Sequence, residues 1–178
     1  MEFKKQPFIP MLFGGDINTY SVARAFYEEY QVKTYVFGKF PSGPSYNSNI
    51  IEYHANLKID TDEVFMQTVR DFAAAHADKT VLTIGCGDSY VALCSRHKDE
   101  MPENVIAPYI DFELMDRLQQ KELFYRLCRE HDIDFPDTLV FRHGMDLDFE
   151  LPFSFPVILK PSNTTEGSSR LLPPSFAT

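Results

Sequence analysis

Apolar runs alternate with amphipathic stretches along the first two thirds of the chain. The intervening stretches have helical spacing, one of them beginning at Asn18 or Thr19 and another at Thr61. The apolar runs are short and rich in β-branched and aromatic residues, which predicts buried strands at Phe8 to Phe13, Lys33 to Gly38, Ile50 to His54, Thr80 to Ile84 and Asn104 to Tyr109. Parallel neighbours need a crossover, usually a helix, so this order predicts an α/β fold with a parallel, Rossmann-like sheet over residues 1–110.

The pattern changes after residue 110. An amphipathic stretch predicts one long helix from Asp111 to His131, and two β-rich runs predict strands at Asp137 to Phe141 and Phe155 to Lys160. Residues 164–178 show neither pattern. The sequence therefore predicts three regions, 1–110, 111–163 and an irregular tail at 164–178.

Composition excludes several classes of function. The formal net charge of -9 argues against binding along a nucleic-acid backbone, which requires a basic surface. No segment approaches the roughly 20 apolar residues that span a bilayer, so no membrane span is expected. The three cysteines have no Cys-x-x-Cys spacing, which predicts reduced thiols, no zinc site and a cytoplasmic location.

Two glycine turns follow predicted strands and carry the candidate chemistry. They are Gly14-Gly15-Asp16 and Gly85-Cys86-Gly87-Asp88. The carboxyl ends of strands form the ligand crevice of an open α/β sheet, although aspartate at a helix start is also a common cap. The second turn lacks the third glycine of a dinucleotide loop. An S-adenosylmethionine-dependent methyltransferase is a minor alternative, but three predicted strands precede the turn, where that fold has none.

The stretch "MDRLQQKELFYRLCREHDIDFPDTLVF" followed by "FPVILKPSN" resembles the ATP-grasp superfamily. The resemblance implies a pre-ATP-grasp domain over residues 1–110 and the beginning of an ATP-grasp domain over 111–163. It implies ATP and Mg²⁺ as cofactors, with Lys121, or Arg117 at the alternative position, near the nucleotide phosphates. Lys160 would contact the α-phosphate and the adenine side. The further residues implied in nucleotide binding are Ser162, Ser168 and Ser169.

Within that superfamily, "FIPMLFGGDINTYSVARAFYEEY" and the region around "GCGDSY" resemble bacterial carboxylate-amine ligases of the D-aspartate ligase kind. Such enzymes activate a carboxylate as an acyl phosphate and transfer it to an amine. The resemblance implies a small carboxylate or amino-acid substrate and an amine acceptor that is a peptidoglycan precursor. The residues implied on the substrate side are Gly14, Asp16, Asn18, Gly87 and Asp88.

The resemblance stops before the part of an ATP-grasp enzyme that carries the magnesium ligands. The sequence therefore predicts an N-terminal portion that is inactive alone, with no catalytic or metal-ligating residue of its own. Residues after Asn163 are interpreted as an altered or frameshifted end, with a phosphate-binding loop at Ser168 and Ser169 as the other reading. The alternative function is a non-catalytic small-ligand binding or interaction module. Exposed sheet edges also predict a homo-oligomer.

Overall fold

The first part of the chain forms a five-stranded parallel sheet flanked by helices. The structure is a computed structural model that describes residues 2–41, 43–146, 152, 154 and 156–160. The strands are β1 (Phe8–Phe13), β2 (Thr34–Gly38), β3 (Ile51–Ala55), β4 (Thr80–Gly85) and β5 (Val105–Ile106). The helices are α1 (Ile17–Tyr30), α2 (Gly43–Tyr46), α3 (Asp62–Ala75), α4 (Asp88–Arg96), α5 (Phe112–Gln119) and α6 (Lys121–Glu130). The predicted α/β fold with a parallel, Rossmann-like sheet is confirmed.

The sheet has the strand order β3-β2-β1-β4-β5, and every neighbouring pair is parallel. The longest pairing joins β1 to β4, from Phe8 opposite Thr80 to Phe13 opposite Gly85. The chain moves outward from β1 through β2 to β3 and then returns to the other side of β1. The strand order therefore reverses between β1 and β4, which is the position where open α/β sheets bind ligands.

A hydrophobic core lies on each face of the sheet. Because successive strand residues point to opposite faces, Met11 and Phe13 of β1 enter one core and Leu12 enters the other. The Phe13 face packs against α3 through Phe65, whereas the Leu12 face packs against α1 through Ala23. Both faces are covered, as a parallel sheet requires.

The first helix begins one turn earlier than its predicted cap. Asp16, rather than Asn18 or Thr19, is the N-cap of α1, and its carboxylate accepts a hydrogen bond from the backbone N–H of Thr19. Thr61 does occupy the N-cap position of α3, but its hydroxyl donates to the carbonyl of Lys58 instead of capping the helix. A carboxylate accepts two helix-end hydrogen bonds here, which explains why Asp16 prevails.

The fifth strand is shorter than the sequence predicts, since only Val105–Ile106 pair with β4. Beyond them Tyr109 turns its hydroxyl to the backbone N–H of Gly85, at 2.7 Å. The chain therefore leaves the sheet edge and supports the end of β4 through a side chain.

The described residues form two compact units, one up to Met115 and one from Asp116 onward. The predicted single helix from Asp111 to His131 is wrong, because Gln120 has an extended backbone (φ -83°, ψ 111°) and separates α5 from α6. Among the described residues, no helix combines the length and apolar character needed to cross a membrane.

The two strands predicted in the second unit are also not observed. Residues 137–141 and 156–160 have no regular secondary structure, and Phe155 lies outside the described residues. A strand is stabilised by hydrogen bonds to a neighbour, and in the described part of the chain the sheet consists of β1 to β5 alone. Around α6 the contacts are local: Arg129 lies 5.2 Å from the ring of Phe135, which stacks on Tyr125.

The Phe13 side chain is the first test of this core. It is fully buried and its ring centroid lies 4.6 Å from that of Phe65. We expect Phe13→Ala to lower the free energy of unfolding by about 3–5 kcal/mol, because it removes apolar contacts and leaves a cavity. Denaturant titration measures the loss. Phe40→Ala, at a ring that is 58% exposed, is the matched control, and an equal loss there would contradict the assignment.

Candidate functional site

A cavity of about 260 Å³ opens at the carboxyl ends of β1 and β4, where the strand order reverses. Both glycine turns singled out in the sequence contribute to it. The lining residues are Gly14, Gly15, Asp16, Lys39, Phe40, Tyr53, Cys86, Gly87, Ser89 and Tyr90. The fold therefore brings together residues from the ends of β1, β2 and β4, together with Tyr53 of β3.

The turn after β1 requires glycine at its first position. Gly14 has a φ of +148°, and an added Cβ there would overlap the Thr19 hydroxyl. Its backbone N–H donates to the carbonyl of Phe37 at 3.0 Å, so the turn is also held against β2. The close approach of Gly14 to Thr19 places α1 directly behind the cavity.

Asp16 is both a helix cap and a cavity residue. Its Oδ1 accepts hydrogen bonds from the backbone N–H and the hydroxyl of Thr19, each at 3.1 Å. Its Oδ2 accepts one from the Asn18 side-chain amide at 3.0 Å. A carboxylate offers about four acceptor positions, so these three contacts leave capacity for a ligand donor.

The turn after β4 is held by backbone contacts. Cys86 N–H donates to the carbonyl of Phe13 at 2.8 Å, which joins this turn to the end of β1. A Cβ on Gly85 would lie 2.6 Å from backbone atoms of Tyr90 and Val91, so only glycine allows α4 to pack this closely against β4. Gly87 is the N-cap of α4 and provides no side-chain cap. The N-terminus of α4, with its partial positive charge, therefore begins at the cavity.

The sequence did not identify the residues that β2 and β3 contribute. Lys39 follows β2 and forms an ion pair with Asp60 at 2.7 Å, with 40% of its side chain exposed. Tyr53 donates from its hydroxyl to the carbonyl of Phe40 at 2.6 Å. The available signal was the strand order, since a β2 adjacent to β1 places the residues after β2 beside the Gly14 turn.

Burial keeps the ionisable groups of the cavity wall neutral. It raises the pKa of the Cys86 thiol to about 11, with the negative charge of Asp16 adding to the rise and a hydrogen bond with Thr19 opposing it. Burial likewise raises the pKa of Tyr90 to about 12. A thiol that stays protonated is a poor nucleophile, so this wall is suited to binding rather than to covalent chemistry.

The structure separates the five predicted substrate residues. Gly14, Asp16 and Gly87 line the cavity. Asn18 and Asp88 are exposed and are not among the lining residues, although Asn18 reaches Asp16 through its amide. Both follow a helix start, where the helix turns side chains away from the strand end.

The predicted nucleotide residues belong to the second unit. Lys121 is the first residue of α6 and is partly exposed, and Lys160 is exposed but does not end a strand. Ser162, Ser168, Ser169 and the tail with its proposed altered end lie outside the described residues. Two accessible lysines suit the negative charge of phosphates. Across the described ranges, no group of three or more histidine, cysteine, aspartate or glutamate residues is placed to hold a metal ion.

A comparison with curated proteins identifies a relative with the same glycine-turn region. A D-aspartate ligase from Enterococcus faecium (strain Aus0004) is 40% identical over 170 residues, which cover 92% of this chain and 40% of the relative. Over nearly its whole length, this chain is similar to a D-aspartate ligase. It is consistent with an N-terminal fragment of a D-aspartate ligase-like protein. The chain spans less than half the length of that relative.

Neither of the other two comparisons adds a relative. No protein-family model matches the chain, and no solved structure matches it. The similarity to the D-aspartate ligase therefore rests on sequence, and the parallel sheet and its cavity are independent observations.

The raised pKa of Cys86 predicts a loss of stability at alkaline pH. The folded chain keeps this proton where an unfolded thiol, with a pKa near 9, releases it. The stabilising contribution is therefore complete below pH of about 9 and is lost as the pH rises to about 11. We expect urea midpoints to fall over this range, and to fall less steeply in Cys86→Ala. Tyr90 adds to the slope in both proteins, so equal slopes would contradict the role of Cys86.

Proposed function

We propose that this chain is the N-terminal portion of an ATP-dependent carboxylate-amine ligase and that its cavity binds the amino-acid substrate, D-aspartate. The observation that carries the proposal is the cavity itself, which the two glycine turns form at the reversal of strand order. The similarity to a protein named D-aspartate ligase supports the substrate class.

The charges around the cavity match those of an acidic amino acid. Asp16 offers a carboxylate for an ammonium group, and Lys39 offers a cation for a carboxylate. The N-terminus of α4 at Gly87 adds backbone N–H groups and the positive end of a helix dipole for a second carboxylate. D-aspartate has one ammonium and two carboxylates, so each of its charged groups meets a group of opposite sign.

The size of the cavity favours the same ligand class. Its volume of about 260 Å³ is below the roughly 300–1,000 Å³ of typical ligand pockets. A single small amino acid suits this volume, whereas a dinucleotide is larger. The turn at Gly87 also lacks the third glycine of a dinucleotide loop.

We assign nucleotide binding to the second unit. Lys121 and Lys160 are the residues that would contact the phosphates of ATP, and bound ATP would supply the phosphoryl group that activates a carboxylate. The described residues do not fit a magnesium site, so Mg²⁺ would depend on other residues. The amine acceptor in this proposal is a peptidoglycan precursor, and the reaction is cytoplasmic. Three cysteines without disulfides suit that compartment.

A non-catalytic binding module is the second candidate. One observation favours it: every residue that lines the cavity lies between Gly14 and Tyr90, inside the first unit. The same cavity then binds a small amino acid without any nucleotide. The two candidates differ in whether ligand binding is followed by chemistry in a protein that carries the second unit in full.

Substitution of Lys39 tests the cavity. We expect Lys39→Gln to raise the Kd for D-aspartate by about tenfold, because a charged hydrogen bond to a carboxylate is lost. Isothermal titration calorimetry of the purified chain measures both values. D-aspartate binding that is unaffected by the substitution would place the ligand elsewhere.

Lys33→Gln is the matched control for this experiment. Lys33 has a similar exposure, 38%, and a similar ion pair, with Glu52 at 3.1 Å, but it does not line the cavity. It should leave the Kd unchanged. L-aspartate is titrated in parallel, since equal binding of both enantiomers would support an acidic amino-acid site while contradicting selection of the D form. Binding of neither would contradict the proposal.

A second prediction concerns turnover. The described residues hold no cluster for Mg²⁺, so we expect the 178-residue chain to release no ADP from Mg-ATP in the presence of D-aspartate and an amine acceptor. A coupled ADP assay measures this, with the Enterococcus faecium D-aspartate ligase as the positive control. Steady ADP release that requires D-aspartate would show that the chain is an active ligase by itself.

A further inference from the structure

Strand β3 has an open edge. It pairs with β2, and within the described part of the chain no other strand lies beside it. The carbonyl of Ile50 accepts from Thr34 N–H, and the N–H of Asn56 donates to Gly38, so even-numbered residues direct their backbone groups toward β2. Alternation along the strand then directs the N–H and C=O of Tyr53 to the open side.

We propose that this edge pairs with β3 of a second copy of the chain, antiparallel, about a two-fold axis at Tyr53. In this register the two Tyr53 residues exchange both backbone hydrogen bonds. The N–H of each Ala55 meets the C=O of Ile51 in the other copy, which gives four bonds in all. The N–H of Ile51 is already used, donating to Ser48 at 3.2 Å. The two sheets become one continuous sheet.

Charge complementarity selects this partner and this register. Glu52 and His54 lie on the α3 side of the strand, with side chains 42% and 47% exposed. With the axis at Tyr53, Glu52 of one copy faces His54 of the other, and the pair occurs twice. Moving the axis to residue 52 or 54 would instead place identical side chains opposite each other, which is unfavourable for like charges.

The edge carries little protection against such pairing. Natural edges are commonly blocked by proline or by lysine that points outward, and the segment Ile51–Ala55 contains neither. Glu52 and His54 also border a cavity of about 330 Å³ with the rings of Tyr35, Phe37 and Phe72. Pairing through β3 brings the cavities of the two copies together on one face of the joined sheet.

Sedimentation velocity over a series of protein concentrations tests the proposal. Two five-residue strands form a small interface, so the series extends to hundreds of micromolar. We expect a concentration-dependent dimer. His54→Glu places two carboxylates opposite each other at both pairs and should raise the dimer Kd by about tenfold, whereas Glu52→Lys combined with His54→Glu should restore the dimer. A monomer at all concentrations would overturn the proposal.

A control and a cross-link identify the register. His131→Glu makes the same change of charge in the second unit and should leave the Kd unchanged. Under mild oxidation, the double variant Glu52→Cys/His54→Cys should form a cross-linked dimer, and Glu52→Cys alone should not, since it faces His54. Thermal melting confirms that each variant is folded. A dimer in which Glu52→Cys alone cross-links, or which His54→Glu does not weaken, would contradict this register.

Discussion

The pairing of β1 with β4 is the contact on which the rest of the structure depends. It runs over six residue pairs at the centre of the sheet and ends where Cys86 N–H donates to Phe13. The strand order reverses across this pair, so the helices on its two sides leave toward opposite faces. The ends of the two strands are thereby left uncovered. The ligand cavity is a direct consequence of that topology.

The close packing behind the cavity limits what the turns can contain. Gly14 contacts α1 through Thr19, and Gly85 contacts α4 through the backbone of Tyr90. Both helices consequently begin at the cavity, and their N-termini lend it partial positive charge. Asp16 balances part of that charge while it caps α1. The same residue thus stabilises the helix and sets the polarity of the site.

The sheet edges and the second unit differ in how well local contacts satisfy the backbone. On one side, β5 is only two residues long and Tyr109 hydrogen-bonds back to Gly85. On the other, β3 presents backbone groups with no neighbouring strand among the described residues. In the second unit, α6 is held by side-chain contacts such as Tyr125 with Phe135, without strand pairing in the described range.

The sequence by itself determined the alternating elements, the parallel sheet and the importance of the turns at Gly14 and Gly87. These features are local: apolar period, helix spacing and glycine placement appear within a few residues. The resemblance to ligases of the D-aspartate kind was also readable from the sequence, and the relative supports it.

Only the tertiary structure decided which side chains meet. Lys39 and Tyr53 reach the cavity because β2 and β3 stack beyond β1, a long-range arrangement that no short pattern encodes. The break at Gln120 and the absence of a strand at residues 137–141 were likewise beyond the pattern. Amphipathic spacing continues smoothly across a helix break, and a β-rich run becomes a strand only where another strand pairs with it.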